Sequence, residues 1–183
     1  MLDAEQGRIL LQSARAAIAA EYGGPPPAAL PVHWLQRPRA SFVTLKMHGH
    51  LRGCIGSLEA RRPLFEDVCH NAVAAAFRDP RFEPLTPAEL DDLQIEVSIL
   101  SDATPMDCYD ERDALAQLRP GTDGLILEYG LHRATFLPQV WDELPQPAAF
   151  LRQLKRKAGL ASDFWSDDIR LARYTVQQFS EGE

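Results

Sequence analysis

The sequence is short of cysteine, of positive charge and of long apolar runs. Its three cysteines, Cys54, Cys69 and Cys108, form no Cys-x-x-Cys pair, so neither a disulfide framework nor a zinc knot is expected. No stretch approaches the roughly 18 apolar residues of a membrane span. The opening MLDAEQGRIL carries Asp3 and Glu5 where a signal peptide is basic and then apolar. These features read as a soluble, cytoplasmic protein. Lys and Arg number 19 against 26 Asp and Glu, a net charge of -7, which argues against a strongly basic nucleic-acid binder. No Walker A loop, dinucleotide-binding fingerprint or nucleophile elbow occurs. Nucleotide hydrolysis and nicotinamide chemistry therefore have no sequence support.

What is present is ordinary globular material. The chain has 183 residues, 45% hydrophobic and 25% charged, close to the globular average and enough for one domain over residues 1–183 with room for a small subdomain. Ile9, Leu10, Ala14, Ala17 and Ile18 recur at helical spacing and predict a helix over 3–22. GGPPPAALP, at residues 23–31, ends it as a loop. Alternation predicts strands at 41–47, 51–58 and 93–101, with His48-Gly49-His50 as the turn between the first two. Pro63 sits at the start of a helix over 64–78, which stops before Asp79-Pro80. Thr86-Pro87-Ala88-Glu89 has capping-box spacing. Further helices are expected at 110–119 and 147–158, and strands at 125–129, 134–137 and 169–179. Tight turns between strand pairs make the fold class α/β, with a mixed or largely antiparallel sheet.

LRGCIGS, at residues 51–57, is the most unusual local sequence. Glycine inside a strand costs stability and marks a bulge or a close approach. In a regular strand Arg52 and Cys54 point to the same face, and a nearby guanidinium favours the thiolate. Gly53 and Gly56 leave backbone N–H groups unshielded for an oxyanion or phosphate. The plainer reading makes Cys54 a small buried hydrophobe and the glycines packing devices. On the next helix Asn71 shares the apolar stripe of Leu64, Val68 and Ala75. A buried Asn needs partners, and a structural role is favoured over a cleft-facing one. His70 is a candidate general base if the helix packs over Cys54, and is otherwise solvated. Asp79-Pro80-Arg81-Phe82 is a rigid corner in which Asp79 and Arg81 pair with each other or with backbone. Glu96 and Ser98 share the polar face of their strand, either solvated or lining a cleft. His48 and His50 do not complete a metal site. Lys155, Arg156 and Lys157 suit a helix C-terminus.

Several of these segments together resemble the AMMECR family, protein A of the bacterial and archaeal AmmeMemoRadiSam system. The resemblance rests on LRGCIGSLE at 51–59, NAVAAAFRDPRFEPL at 71–85, ELDDLQIEVSILS at 89–101, ATFLPQVWDELP at 134–145, FLRQLKRKAGL at 150–160 and the strand Tyr174–Phe179. It implies an α/β protein whose largely antiparallel sheet is flanked by helices, with a smaller subdomain and a cleft at which LRGCIG lies. It also implies a Memo-like partner related to extradiol dioxygenases, a radical SAM partner, and a nucleobase or small metabolite as substrate. No metal or cofactor is implied. Arg52, Gly53, Cys54 and Gly56 carry over directly as site residues, and Ile55 of the same motif is a candidate ligand contact. Asn71, Asp79, Arg81, Glu96, Thr135, Gln139 and Trp141 match too, Glu96 as a candidate catalytic residue and the others as candidate ligand contacts.

Two functions follow from these expectations. In the first the protein is an enzyme: Cys54 is nucleophile or covalent carrier, Arg52 and the glycine amides stabilise negative charge, and His70 or Glu96 handles the proton. In the second it is a non-catalytic adaptor, in which Arg52, Arg81 and the glycine N–H groups hold an anionic or nucleotide-like ligand.

Overall fold

Strand β1 (Ser41–Met47) sets the first layer of the fold by its alternation. Ser41, Val43 and Leu45 are buried on one face, while Phe42, Thr44 and Lys46 are half-buried on the other. The computed structural model describes residues 1–182. The chain forms two compact units, Met1–Leu100 with the segment from Gln177 onward, and Ser101–Val176.

In the first unit β1 turns into β2 (His50–Gly56) through His48 and Gly49, at φ 51° and 80°. Two successive positive φ angles make the two-residue hairpin turn whose twist matches the strands. Strand β3 (Leu93–Leu100) pairs antiparallel with the other side of β1, and β8 (Val176–Ser180) completes the order β2-β1-β3-β8. Helix α1 (Ala4–Ala20) starts in the capping box of Asp3 and Gln6. Helix α3 (Leu64–Phe77) follows Pro63. Leu10, Ala14 and Ile18 of α1 and Val68, Ala72 and Ala75 of α3 bury against Val43, Leu45, Ile95 and Val97 of the sheet. Both helices therefore lie on the Val43 face. Between α1 and β1 runs the single turn α2 (His33–Gln36), too short to show periodicity.

In the second unit β4 (Thr104–Met106), β5 (Gly124–Tyr129), β6 (His132–Phe136) and β7 (Arg170–Tyr174) form an antiparallel sheet in the order β4-β7-β5-β6. Helix α4 (Glu111–Gln117) is N-capped by Asp110. Helix α5 (Pro147–Lys157) packs Phe150, Leu151 and Leu154 into the core. Lys155 lies in the last turn of α5, where its charge suits the helix end. It is fully buried, donates to Glu111 at 2.6 Å, and lies 5.6 Å from the centroid of the Trp165 ring. Its position four residues after Leu151 sets it on the buried stripe.

The expected strand over 169–179 is two strands in two different sheets. The break is Thr175, whose N–H donates to Ser101 Oγ at 3.0 Å and whose carbonyl accepts the Ser101 N–H at 2.9 Å. Alternation continues through the break, so periodicity could not reveal it. Thr86 and Glu89 form the expected capping box, on the 3₁₀ turn Pro87–Glu89.

Candidate active site

Among the described residues, strand β2 is an edge strand with no strand paired on its outer side. Its glycines are needed for close approach. A Cβ on Gly53 would lie 2.2 Å from the backbone oxygen of Ala75, and one on Gly56 would lie 2.2 Å from the ring of Phe42. Gly53 thus faces α3 and lets the helix lie directly on the strand. Ile55 turns the same way and packs against the helix-side core. Cys54, between them, points to the opposite face. There it pairs in register with Thr44, whose hydroxyl donates to the Cys54 sulfur at 3.3 Å. Glu96 pairs with Thr44 from the other side, so Cys54, Thr44 and Glu96 form one row across three strands. Glu96 is held by Lys46 at 2.5 Å in the adjoining row.

Arg52 does not share that face. Leu45 stands opposite Gly53 and Lys46 opposite Leu51, so Arg52 is the extra residue of a β-bulge. A bulge interrupts the alternation that would have aligned Arg52 with Cys54. Arg52 instead donates to both carboxylate oxygens of Glu89, at 2.7 and 3.2 Å, and to the Glu83 carbonyl at 2.9 Å. The guanidinium of Arg52 is the chief cause that brings the Glu89 carboxyl down to about 2; burial opposes it, and hydrogen bonds from Thr86 add to it.

The cation beside Cys54 is Arg81. Helix α3 ends before Asp79-Pro80, where the residue preceding proline is driven out of helical geometry. Asp79 is buried. Its Oδ2 accepts the Cys54 N–H at 2.9 Å and Arg81 Nη2 at 2.6 Å, and its Oδ1 accepts Arg81 Nε at 2.9 Å. Arg81 Nη2 also donates to the Cys54 carbonyl at 3.2 Å. The Arg81 guanidinium holds the Asp79 carboxyl well below the carboxylate range, helped by the Cys54 N–H and opposed by burial. The Cys54 amide is therefore occupied. By the two-residue alternation of an antiparallel ladder, Gly53 turns its amide to β1 and Gly56 turns its amide to the open edge.

The structure does not bring His70 to Cys54. It is exposed on α3, which packs on the Gly53 face, whereas the thiol lies on the other. Asn71 takes the structural role: its amide donates to the Ser41 carbonyl at 3.0 Å and to Asp67 at 3.0 Å. Asp67, buried, also accepts the Ser41 N–H at 2.9 Å, the Ser41 hydroxyl at 2.7 Å, the Ser57 hydroxyl at 2.7 Å and Arg62 at 3.1 Å. Sequence reasoning passed over Asp67, although it stands four residues before Asn71 on the same helix face. It also passed over Thr44, which the alternation of SFVTLKM sets on the polar face.

Thr135, Gln139 and Trp141 belong to the second unit. Thr135 is buried and donates to the Leu125 carbonyl at 2.9 Å. Trp141 is buried, donates to the Asp123 carbonyl at 2.7 Å and stacks on Phe150 at 3.8 Å. Both are buried with partners inside that unit. Gln139 is exposed. Among the described residues no group of three or more His, Cys, Asp or Glu side chains is arranged to hold a metal, and no helix is long and apolar enough to cross a membrane.

The AMMECR1 family model matches residues 11–179. The chain belongs to the AMMECR1 family. A family relative from Methanothermobacter thermautotrophicus is 41% identical over 98% of this chain and 96% of its own length. Another, from Thermotoga maritima, is 38% identical over 84% of each chain. Among solved structures, the crystal structure of uncharacterized protein PH0010 from Pyrococcus horikoshii matches with a TM-score of 0.85 at 32% identity, covering 99% of this chain and 94% of that one. The AMMECR1 match spans both compact units and includes LRGCIG, Asp79, Arg81 and Glu96.

Proposed function

We propose that this AMMECR1-family protein is a cysteine-dependent enzyme acting on a nucleobase or small metabolite, with Cys54 as nucleophile or covalent carrier. The observation that carries the reading is how many groups serve one cysteine. A hydroxyl from Thr44 reaches its sulfur, and the ion pair of buried Asp79 with exposed Arg81 holds both its main-chain N–H and its C=O. The thiolate is the reacting form of cysteine, and the Thr44 hydroxyl is placed to donate to that sulfur. In the reaction the sulfur bonds to an electrophilic carbon of the substrate. The leaving group departs with its bonding electrons and takes up the thiol proton. A second nucleophile then bonds to that carbon, the S–C electron pair returns to sulfur, and the proton the nucleophile gives up restores the thiol. Glu96 stands two strand spacings from Cys54, about 9.6 Å along the row. That separation suits proton transfer at the far end of a substrate lying across Thr44, rather than at the thiol itself. By family resemblance the reaction belongs to a system with a Memo-like protein and a radical SAM enzyme.

An anion-binding adaptor has less support. Arg52 and Arg81, the cations it would use, are already engaged by Glu89 and Asp79.

The test uses a Cys69→Ala, Cys108→Ala background, in which Cys54 is the remaining thiol. Native protein should be alkylated by iodoacetamide at pH 7.5. Cys54→Ser should fold and melt as the parent does, yet form no covalent adduct with nucleobase or metabolite electrophiles by intact-mass measurement. Alkylation only after denaturation would remove Cys54 from the chemistry.

A further inference from the structure

An edge strand exposes unpaired N–H and C=O groups that folds close off with bulges, charges or covering loops. In β2 the closure falls on the residue that bears the thiol. Following the hydrogen bonds gives a ring. The Cys54 N–H donates to Asp79, Asp79 accepts Arg81, and Arg81 donates to the Cys54 carbonyl, at 2.9, 2.6 and 3.2 Å. One acceptor and one donor at the same residue is the pattern a neighbouring strand would present. Here two side chains of a corner present it instead.

We propose that Asp79 is a positioning residue for Cys54, fixing the register that sets its sulfur beneath the Thr44 hydroxyl. The inference rests on the Cys54 reading above and names the group that aims the thiol. The corner is stiff enough for the task. Pro80 has a fixed φ, the Arg81 N–H turns back to Asp79 Oδ1 at 3.1 Å, and the Leu85 N–H closes on the Ala76 carbonyl at 2.8 Å. The same helix end therefore sets Gly53 through Ala75 and Cys54 through Asp79. Without the carboxylate, the Cys54 N–H loses the acceptor it has on the outer edge, and Arg81 loses the partner that aims it at the Cys54 carbonyl.

The test is a double-mutant cycle in the Cys69→Ala, Cys108→Ala background, read as the rate of Cys54 alkylation at pH 7.5. Thr44→Val should slow alkylation about fivefold, as expected for losing one ordinary hydrogen bond. Asp79→Ala should slow it by a similar factor and raise hydrogen exchange at the Cys54 amide at least tenfold. Because Asp79 acts by presenting the thiol to Thr44, Thr44→Val should have no further effect in the Asp79→Ala background. Asp79→Asn keeps an oxygen for the Cys54 N–H and should recover most of the rate; if Asp79→Ala does not fold, the cycle runs with Arg81→Gln. Additive effects, with Thr44→Val slowing both backgrounds equally, would overturn the proposal for Asp79 while leaving Cys54 reactive. A Cys54 that is unreactive in the native parent would instead remove the function on which the proposal rests.

Discussion

Thr44 and Cys54 face each other across β1 and β2, hydroxyl to sulfur at 3.3 Å. The contact depends on register. Leu45 opposite Gly53 keeps Thr44 opposite Cys54, and the bulge at Arg52 absorbs the mismatch farther along the hairpin. A one-residue slip would move the thiol to the helix face, onto the backbone of α3. The glycine that prevents this and the corner that pins the edge act on the same strand, and each makes a measurable demand.

Gly53→Ala should destabilise the protein by about 3 kcal/mol, the upper end for overpacking. The new methyl would meet the backbone of α3, which has no rotamer to change. Gly56→Ala meets the Phe42 ring first, a side chain that can swing aside, and should cost about 1 kcal/mol. Urea unfolding of the two variants checks the order; equal losses would contradict it.

Asp67→Ala should cost about 3–5 kcal/mol, as for breaking a buried charge network. It takes the acceptor from the Ser41 N–H and the Ser57 hydroxyl and removes one of the acceptors of the Asn71 amide. Asn71→Ala should cost about 1–3 kcal/mol, and the double variant should fall short of the sum because the two share partners. Chemical denaturation of the set decides it.

Stability should fall on the acid side through Glu89. The carboxyl of Glu89 titrates at about 2 in the folded protein against an ordinary 4.5. Between those values the unfolded chain binds the proton and the folded one does not, so stability rises with pH. The contribution is complete above about pH 4.5 and is lost as pH falls toward 2. Asp79, lowered in the same direction by Arg81, extends the loss to still lower pH. Glu89→Gln should flatten the slope of the urea midpoint between pH 4.5 and 3. An unchanged slope would mean that the Arg52–Glu89 pair contributes nothing.

Cys69 should be the slow thiol. Burial, with Glu66 adding to it, pushes its pKa from 9.0 up to about 11, and its Sγ lies 3.8 Å from the Ser13 carbonyl. At pH 8 it should react with iodoacetamide roughly tenfold or more slower than an unhindered thiol, because the thiolate is the nucleophile. Peptide mapping of native protein after timed labelling measures it, and rapid labelling of Cys69 would contradict the burial.

Much of this was legible in the residues themselves. Alternation in SFVTLKM and LQIEVSIL found β1 and β3, and Pro63 and Asp79-Pro80 bounded α3. The Thr86–Glu89 spacing found its capping box. Asn71 on an apolar stripe could be read as a buried hydrogen-bonding group because a buried amide must be satisfied. LRGCIG was legible as unusual, and its glycines as sites of close approach.

Local sequence determined which segments become helices and strands, since periodicity, capping and proline geometry act over a few residues. It also marked the cysteine as the residue to watch. Only the tertiary structure decided what stands beside that cysteine. The bulge sends Arg52 to Glu89, the sheet separates His70 from the thiol, and the corner after α3 brings Asp79 and Arg81 to its backbone. The break at Thr175 is of the same kind, because two strands of one alternating run found partners in different sheets. Which groups meet depends on contacts between residues far apart in the chain, and no local pattern encodes them.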